Sequence, residues 1–454
     1  MIAQESHLEP DSTDLSATEQ IMMKRPSYWR LLCLSLALIV VSSLSSAQLV
    51  NGRFITSVYA WEQFDTIGVS KKLVRGFQSA LFDIAGSSFS LHTHVQGASL
   101  LQSTLDEVPD YRVFYLYGRL KNVSDAVDFS FGRMPYFAGV GNGTLDGILT
   151  TIRLSDNRFR ITAYGGGNVP LDLELNGWKP LSKSFTAGGQ ILTTAIANMR
   201  VGISFVNRQR ERESYWAIRP DPLLNPLTVY ITPPPAKEQY ASADVSYRVS
   251  SVSLYGRYDY DLNYEKIQRG QVGVRAGLTD ELSATGDFIH RTPRLPFNSF
   301  FAVFSAEAID EFEGGLDYVI IPELRTYARG AFVQYDNDNS FRYTLGFAHH
   351  FVSLIYRGNT GYAGELNSIS LQGTYPLFER MFIPSAGFTY ASYRLNAAAE
   401  KDDMIAGSLG AICRPINAFS IDLQVQWLKN KIVKSDTRLF GKLNYWFTEQ
   451  LDIF

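Results

Sequence analysis

From about residue 48 to its end, the chain alternates apolar and polar residues, segment after segment. Along 420–427, Ile421, Leu423, Val425 and Trp427 fall on one face, and Ser420, Asp422, Gln424 and Gln426 fall on the other. Successive side chains of a strand point to opposite faces, so one face meets an apolar medium and the other meets water. Val201, Ile203 and Phe205 repeat the pattern against Arg200, Gly202 and Ser204, and Phe159, Ile161 and Ala163 against Arg158, Arg160 and Thr162. Phe341, Tyr343, Leu345 and Phe347 oppose Arg342, Thr344 and Gly346; Phe312, Leu316 and Tyr318 oppose Glu311, Glu313 and Asp317. Similar segments run near 87–97, 110–121, 240–249, 251–261, 271–279, 281–291, 323–335, 366–375 and 404–414. Asp336-Asn337-Asp338-Asn339 and Thr279-Asp280 read as tight turns, and strands joined so briefly must be antiparallel. Lipid admits only helices and closed barrels, so the pattern predicts an all-β chain. It forms a single transmembrane antiparallel β-barrel with an even strand number, roughly 16–22.

The helical alternative fails on length. Leu31 to Val41 is about eleven residues, against the roughly 20 a spanning helix needs. With Lys24, Arg25 and Arg30 before it and Ser45 and Ala47 after it, the run reads as a signal peptide over 22–47, cut between Ala47 and Gln48. Residues 1–21 are acidic, unlike a signal's start, and read as an over-extended N-terminus ahead of a true start at Met22 or Met23. Cys33 lies inside the apolar run without small residues before it, which argues against a lipoprotein. Cleavage would leave Cys413 alone, with no internal disulfide. Lys and Arg number 42 against 45 Asp and Glu, so no basic surface for nucleic acid is expected. Mean hydropathy is −0.08, as expected where apolar and polar faces cancel. No linker or low-complexity break divides 48–454, which reads as one barrel domain.

A water-soluble sandwich or propeller would use the same alternation to build a core. Segments of ten or more residues exceed the usual length of soluble strands. Aromatic residues also gather near strand ends, at Tyr255, Tyr258 and Tyr260 and at Tyr445, Trp446 and Phe447, where girdles at the lipid boundaries would place them.

In this architecture the chain resembles the porin-like outer-membrane β-barrel proteins of Gram-negative bacteria. Phe131-Gly132-Arg133, a loop through Gly139, Gly141 and Gly143, then Asp146-Gly147-Ile148, is similar to a strand–loop–strand element of several porin families, and equally to an ordinary glycine hairpin. The aromatic terminus Phe454 resembles the tail read by outer-membrane insertion machinery, although Gln450 and Asp452 depart from it; the last strand is expected to close near Phe447. The resemblance implies passive diffusion of small hydrophilic solutes through the outer membrane, with lipid as a partner and a homo-oligomer left open. It implies no enzyme, no cofactor and no nucleic acid. Two rivals stay open: a structural or docking barrel without a pore, and an outer-membrane barrel enzyme. A plugged receptor is not expected, since only a few residues separate Gln48 from the strand beginning near Arg53.

At roughly 16–18 strands a barrel already holds an aqueous channel, so the polar face sets selectivity. Alternation puts Arg119, Arg158, Arg160, Arg200, Arg208, Arg248, Arg257, Arg275, Arg325, Arg329, Arg342 and Arg357 on it. Its acids are fewer: Asp128, Asp244, Asp259, Asp287, Glu311, Glu313, Asp317 and Asp422. The excess favours anionic solutes unless the arginines mostly pair with carboxylates across strands. The proline-rich, apolar segment Gln209 to Glu238 is expected to fold into the mouth as a constriction, with a lid on neighbouring loops as the alternative. Thr292 to Phe304 is a second candidate. His92 and His94 share the polar face without a third ligand in view, His349 and His350 point to opposite faces, and Gly165-Gly166-Gly167 reads as a turn.

Overall fold

The computed structural model describes residues 48–66, 69–101, 110–175, 179–220, 222–297, 307–396, 398–433 and 435–451. The expected signal peptide, including Ala47, lies outside these residues, as do Phe300, Phe301, Phe304 and Phe454. The first strands are β1 (Gln48–Thr66), β2 (Val69–Ala85), β3 (Phe89–Leu100), β4 (Asp110–Val123), β5 (Val127–Ala138), β6 (Gly141–Leu154), β7 (Phe159–Asn168) and β8 (Phe185–Thr193). They are followed by β9 (Met199–Arg210), β10 (Tyr215–Pro220), β11 (Pro226–Ile231), β12 (Ala236–Val249), β13 (Val252–Asp261), β14 (Lys266–Gly277), β15 (Leu282–Arg291) and β16 (Ile309–Ile321). The rest are β17 (Leu324–Gln334), β18 (Asn339–His349), β19 (Val352–Gly361), β20 (Glu365–Thr374), β21 (Phe382–Arg394), β22 (Asp402–Ile416), β23 (Phe419–Lys429) and β24 (Asp436–Leu451).

Twenty-two of them form one sheet in which each strand lies antiparallel to its chain neighbours. β9 pairs with β12, and β10 and β11 stand apart as a two-stranded hairpin. The sheet closes where β1 meets β24, from Gln48 opposite Leu451 to Ala60 opposite Leu439. Closure corrects two expectations. β1 begins at Gln48 rather than near Arg53, and β24 runs past Phe447 to Leu451. Pairing with β1 holds the polar residues Glu449 and Gln450 in the strand, a contact invisible to local alternation.

The rims differ. Residues 124–126, 250–251, 322–323, 350–351 and 417–418 are short turns at one end; 169–184, 211–235 and 292–308 connect strands at the other. The short turns use polar residues that tolerate left-handed backbone, such as Ser124, Asp125, Asp156 and Asn157. This asymmetry matches short periplasmic turns and long outer loops.

The two faces follow the alternation. Leu345, Phe312 and Leu423 stand 48%, 50% and 60% exposed, whereas Asp259, Asn444 and Ser420 on the other face are buried. The apolar face is therefore the outer one, and hydrocarbon is the medium that suits it. Tyr258 and Tyr260 stack with each other, and Tyr258 is exposed on the outer side. Tyr255 and Trp446 are exceptions to the expected girdle: Tyr255 falls on the inner face of β13 with Arg257 and Asp259, and Trp446 on the inner face of β24 with Asn444.

Leu345→Arg should lower unfolding free energy in lipid vesicles by about 2–4 kcal/mol, the cost of a charge on the lipid face near mid-depth. Thr344→Arg, one residue along on the inner face, should cost less than half as much in the same urea titration.

Candidate solute path and its inward hairpin

A round barrel of 22 strands would be on the order of 40 Å across between backbones. Side chains alone cannot fill that width. What narrows it begins at a row of glycines. Gly132 on β5 lies opposite Gly147 on β6, which lies opposite Gly166 on β7. A Cβ added at Gly132, Gly147 or Gly166 would lie 2.4, 2.2 or 2.4 Å from the carbonyl oxygen of Leu116, Gly165 or Asp146. Backbone approaches this close only where side chains are missing, so the sheet folds sharply along this row. Gly165–Gly167, expected as a turn, are residues of strand β7 at that fold. Periodicity reads a glycine run as a break, but here the missing side chains let a strand bend within the sheet.

Beyond the row, β5 leaves β4, whose pairing with it ends at Leu116 opposite Arg133. The hairpin of β5 and β6 stays paired to Ala138 opposite Gly141 and turns into the lumen. Met134, Tyr136, Ala138 and Leu145 pack as a buried cluster with Tyr164, against Tyr117 and Leu149 on the wall. The Tyr136 and Tyr164 rings lie 4.4 Å apart. At the tip, the Val140 N–H donates to Ser204 Oγ at 2.9 Å, and Val140 packs with Val206 and Tyr240. Arg208 donates to Tyr136 Oη and to the Asn142 carbonyl, both at 2.6 Å, and pairs with Glu238 at 3.2 Å. The tip is thus seated on the inner faces of β9 and β12. Gly139 makes this possible: its φ is +63°, and a Cβ there would lie 2.1 Å from Ser204 Oγ.

Arg133 holds the base. Its guanidinium grips Asp146 through two bonds, of 2.8 and 2.9 Å, and donates to the carbonyls of Val113, Leu173 and Glu174. It therefore ties the bent hairpin to β4 and to the connection after β7, across the gap that the fold opens. Both partners are buried, with side chains 1% and 7% exposed.

Beside the tip, Asn142, Arg257, Gln268, Arg269, Arg291 and Arg294 line a recess of about 450 Å³. Arg257 and Arg294 share the fully buried Asp259, at 2.9 and 3.4 Å. Arg291 lies 3.9 Å from Glu311, which also pairs with Arg342. Arg269 bonds Gln271 and no carboxylate among the described residues. The recess therefore carries more positive than negative charge.

The residues singled out by alternation separate into two groups. Glu311, Glu313, Asp317, Arg329 and Arg342 come together as a ladder on β16–β18: Arg342 pairs with Glu311 and Glu313, and Arg329 with Asp317 at 3.5 Å and Glu313 at 3.9 Å. Arg119 meets Asp128 at 2.5 Å, with Arg153 on the same carboxylate, and Arg200 lies 3.9 Å from Asp244. Arg158, Arg160, Arg275 and Arg325 lie toward the short-turn rim with no carboxylate partner among the described residues. Sequence reasoning missed Arg153, Arg269, Arg291 and Arg294, and missed the roles of Arg133 and Asp146, although the glycine pattern around that pair was a usable signal.

The segment expected to constrict the mouth does something else. It forms the β10–β11 hairpin, where Trp216 and Tyr230 pack on each other while Trp216, Ile218 and Leu224 stay 69%, 74% and 83% exposed. The element seated on the inner wall is instead the β5–β6 hairpin, Met134–Leu145. His92 also has an unforeseen setting. Its ring nitrogens contact Asp83 Oδ1 at 2.6 Å and Ser90 Oγ at 3.0 Å, the order of a nucleophilic triad. Ser90 is fully buried, so no acyl group reaches its hydroxyl in this arrangement. His94 stacks on Phe114.

No protein-family model and no curated protein matches this sequence. Solved structures do. A variant of the ferric enterobactin receptor PfeA from Pseudomonas aeruginosa overlays with a TM-score of 0.55 at 9% identity, covering 87% of this chain and 80% of that one. OccAB4 from Acinetobacter baumannii covers 90% of this chain and 100% of its own, at 9% identity and a TM-score of 0.37. The P pilus usher pore PapC covers 88% and 99%, at 6% identity and a TM-score of 0.42. The first likeness places this chain in the same fold, a wide closed β-barrel of the kind that spans outer membranes.

Arg133→Gln should destabilise the barrel by about 3–5 kcal/mol in urea unfolding, because Asp146 is left charged, buried and unpaired. Asp146→Asn should cost a similar amount. The double variant should cost clearly less than the sum, as one broken contact predicts.

Proposed function

We propose that this chain is a passive outer-membrane channel for small hydrophilic solutes, with a preference for anions. One observation carries the reading. The lumen is crossed by a hairpin seated on its wall rather than filled, and the seat borders a recess with arginines in excess. A folded-in arm narrows a wide barrel to the scale at which wall charges act on a passing solute. Arginine in a low-dielectric setting attracts carboxylate and phosphate groups strongly. Arg160, Arg275 and Arg325 toward the short-turn mouth add to the same bias. The ion-paired ladder of β16–β18 stiffens its wall and contributes little net charge.

The test is reconstitution of refolded protein into a planar bilayer. Open-channel steps are expected, with a reversal potential under a salt gradient that indicates anion preference. Replacing Met134–Leu145 by a short glycine turn should raise single-channel conductance severalfold. Deleting 213–232, which carries β10 and β11, should leave it within about a quarter of the parent value if channel width is set at the hairpin. A clear cation preference would overturn the charge assignment, and absence of any conductance would overturn the channel.

A further inference from the structure

Beyond β5–β9, which carry the hairpin and its seat, the inner surface divides into three arcs. From β12 to β19 it is charged, as described above. From β20 to β23 it is mostly small and uncharged, with Ser370, Gln372, Thr389, Ser408 and Gln424 facing inward, and its inward Asp422 pairs with Lys442 of β24 at 3.1 Å. From β24 round to β4 it carries rings. Tyr59 lies opposite Phe440, Ser57 opposite Phe77, Arg53 opposite Trp446, and His92 opposite Tyr117. Tyr59 and Trp61 stack at 5.2 Å with planes 19° apart. These residues share the face of the buried Ser79 and Asn444, so the rings are on the lumen side and not among the lipid-facing aromatics.

Rings on a wet wall are costly unless something covers them. These are only half-buried. They are also interleaved with donors and acceptors in register: Arg75 and Arg438 near Tyr59, Lys442 opposite Ser57, and Arg53 and Asn444 beside Trp446. From the Trp61 level to the Arg53–Trp446 level is eight residues of β1, about 27 Å at ~3.4 Å per residue. The strip therefore runs along most of the wall. Its neighbour, the β20–β23 arc, offers mainly hydroxyls and amides, its Asp422 being neutralised by Lys442. A solute that fits this combination has flat C–H faces for stacking and a rim of hydroxyl groups. That is the chemistry of a pyranose.

We propose that the ring-bearing strip of β24–β4 is a stacking track for saccharides, through which sugars or short oligosaccharides cross along one wall. The proposal rests on the channel reading and names a solute class for it. It assigns Tyr59, Trp61, Phe77, Phe440 and Trp446 to solute contact.

The experiment uses maltohexaose and cellohexaose as probes on the full refolded barrel. Each should interrupt the single-channel current transiently. In Tyr59→Ala/Trp61→Ala, apparent affinity for either sugar should fall at least about tenfold in channels that still open without sugar. Tyr59→Phe/Trp61→Phe should retain most of the block, which separates loss of rings from loss of folding. Intrinsic fluorescence titrated with the same sugars reads binding without current. Its change should shrink in Trp61→Phe and Trp446→Phe. An open channel that neither sugar interrupts, block by benzoate alone, or sugar block unchanged in the alanine variant would each overturn the track. A sugar-dependent fluorescence change without conductance would keep the track and overturn the channel.

Discussion

In hydrocarbon each unpaired backbone N–H or C=O costs several kcal/mol, so a sheet that spans a membrane must leave no edge. Here the obligation falls on β1 and β24, which pair from Gln48 opposite Leu451 to Ala60 opposite Leu439. Everything else follows from that seam. Closing 22 strands makes a wall too wide for its own side chains to fill, so the lumen needs a separate element to give it a size. That element is the hairpin of β5 and β6.

The hairpin shows how a sheet can be bent inward without being broken. Removing Cβ atoms at Gly132, Gly147 and Gly166 lets backbone meet backbone along one row. Arg133 then donates three hydrogen bonds to carbonyls of the strand edge and loop exposed by the bend and two to Asp146, which takes its charge. A buried ion pair of this kind contributes little net stability over an apolar pair, but losing one partner is severe. Its value lies in geometry: only a planar guanidinium reaches a carboxylate and three carbonyls together. At the other end, Ser204 and Arg208 seat the tip. The arm is held at both ends, as expected of an element that sets a pore's width.

The charges are arranged unevenly. Where strands β16–β18 offer both signs, arginines and carboxylates have paired into a ladder. Where carboxylates are scarce, beside the hairpin tip and toward the short-turn rim, arginines are left to act on whatever passes. In strand order the ring-bearing wall of β24–β4 is separated from the charged β12–β19 by the mostly uncharged β20–β23 arc. One barrel can therefore present solutes with three different surfaces at once.

Alternation along long segments determined that this chain forms a closed antiparallel barrel of many strands with one polar and one apolar face. Leu423 and Val425 against Asp422 and Gln424 already contain that result, because side-chain direction in a strand is a local property. It could not show that β24 extends to Leu451, since that depends on a partner 400 residues away. Nor could it show that Gly165–Gly167 bend a strand rather than end one, that Met134–Leu145 seats on the inner wall, or which arginines find carboxylates. Those outcomes depend on distances between strands remote in sequence. Only the assembled sheet brings Val140 onto Ser204, and Arg294 onto the buried Asp259 that Arg257 also holds.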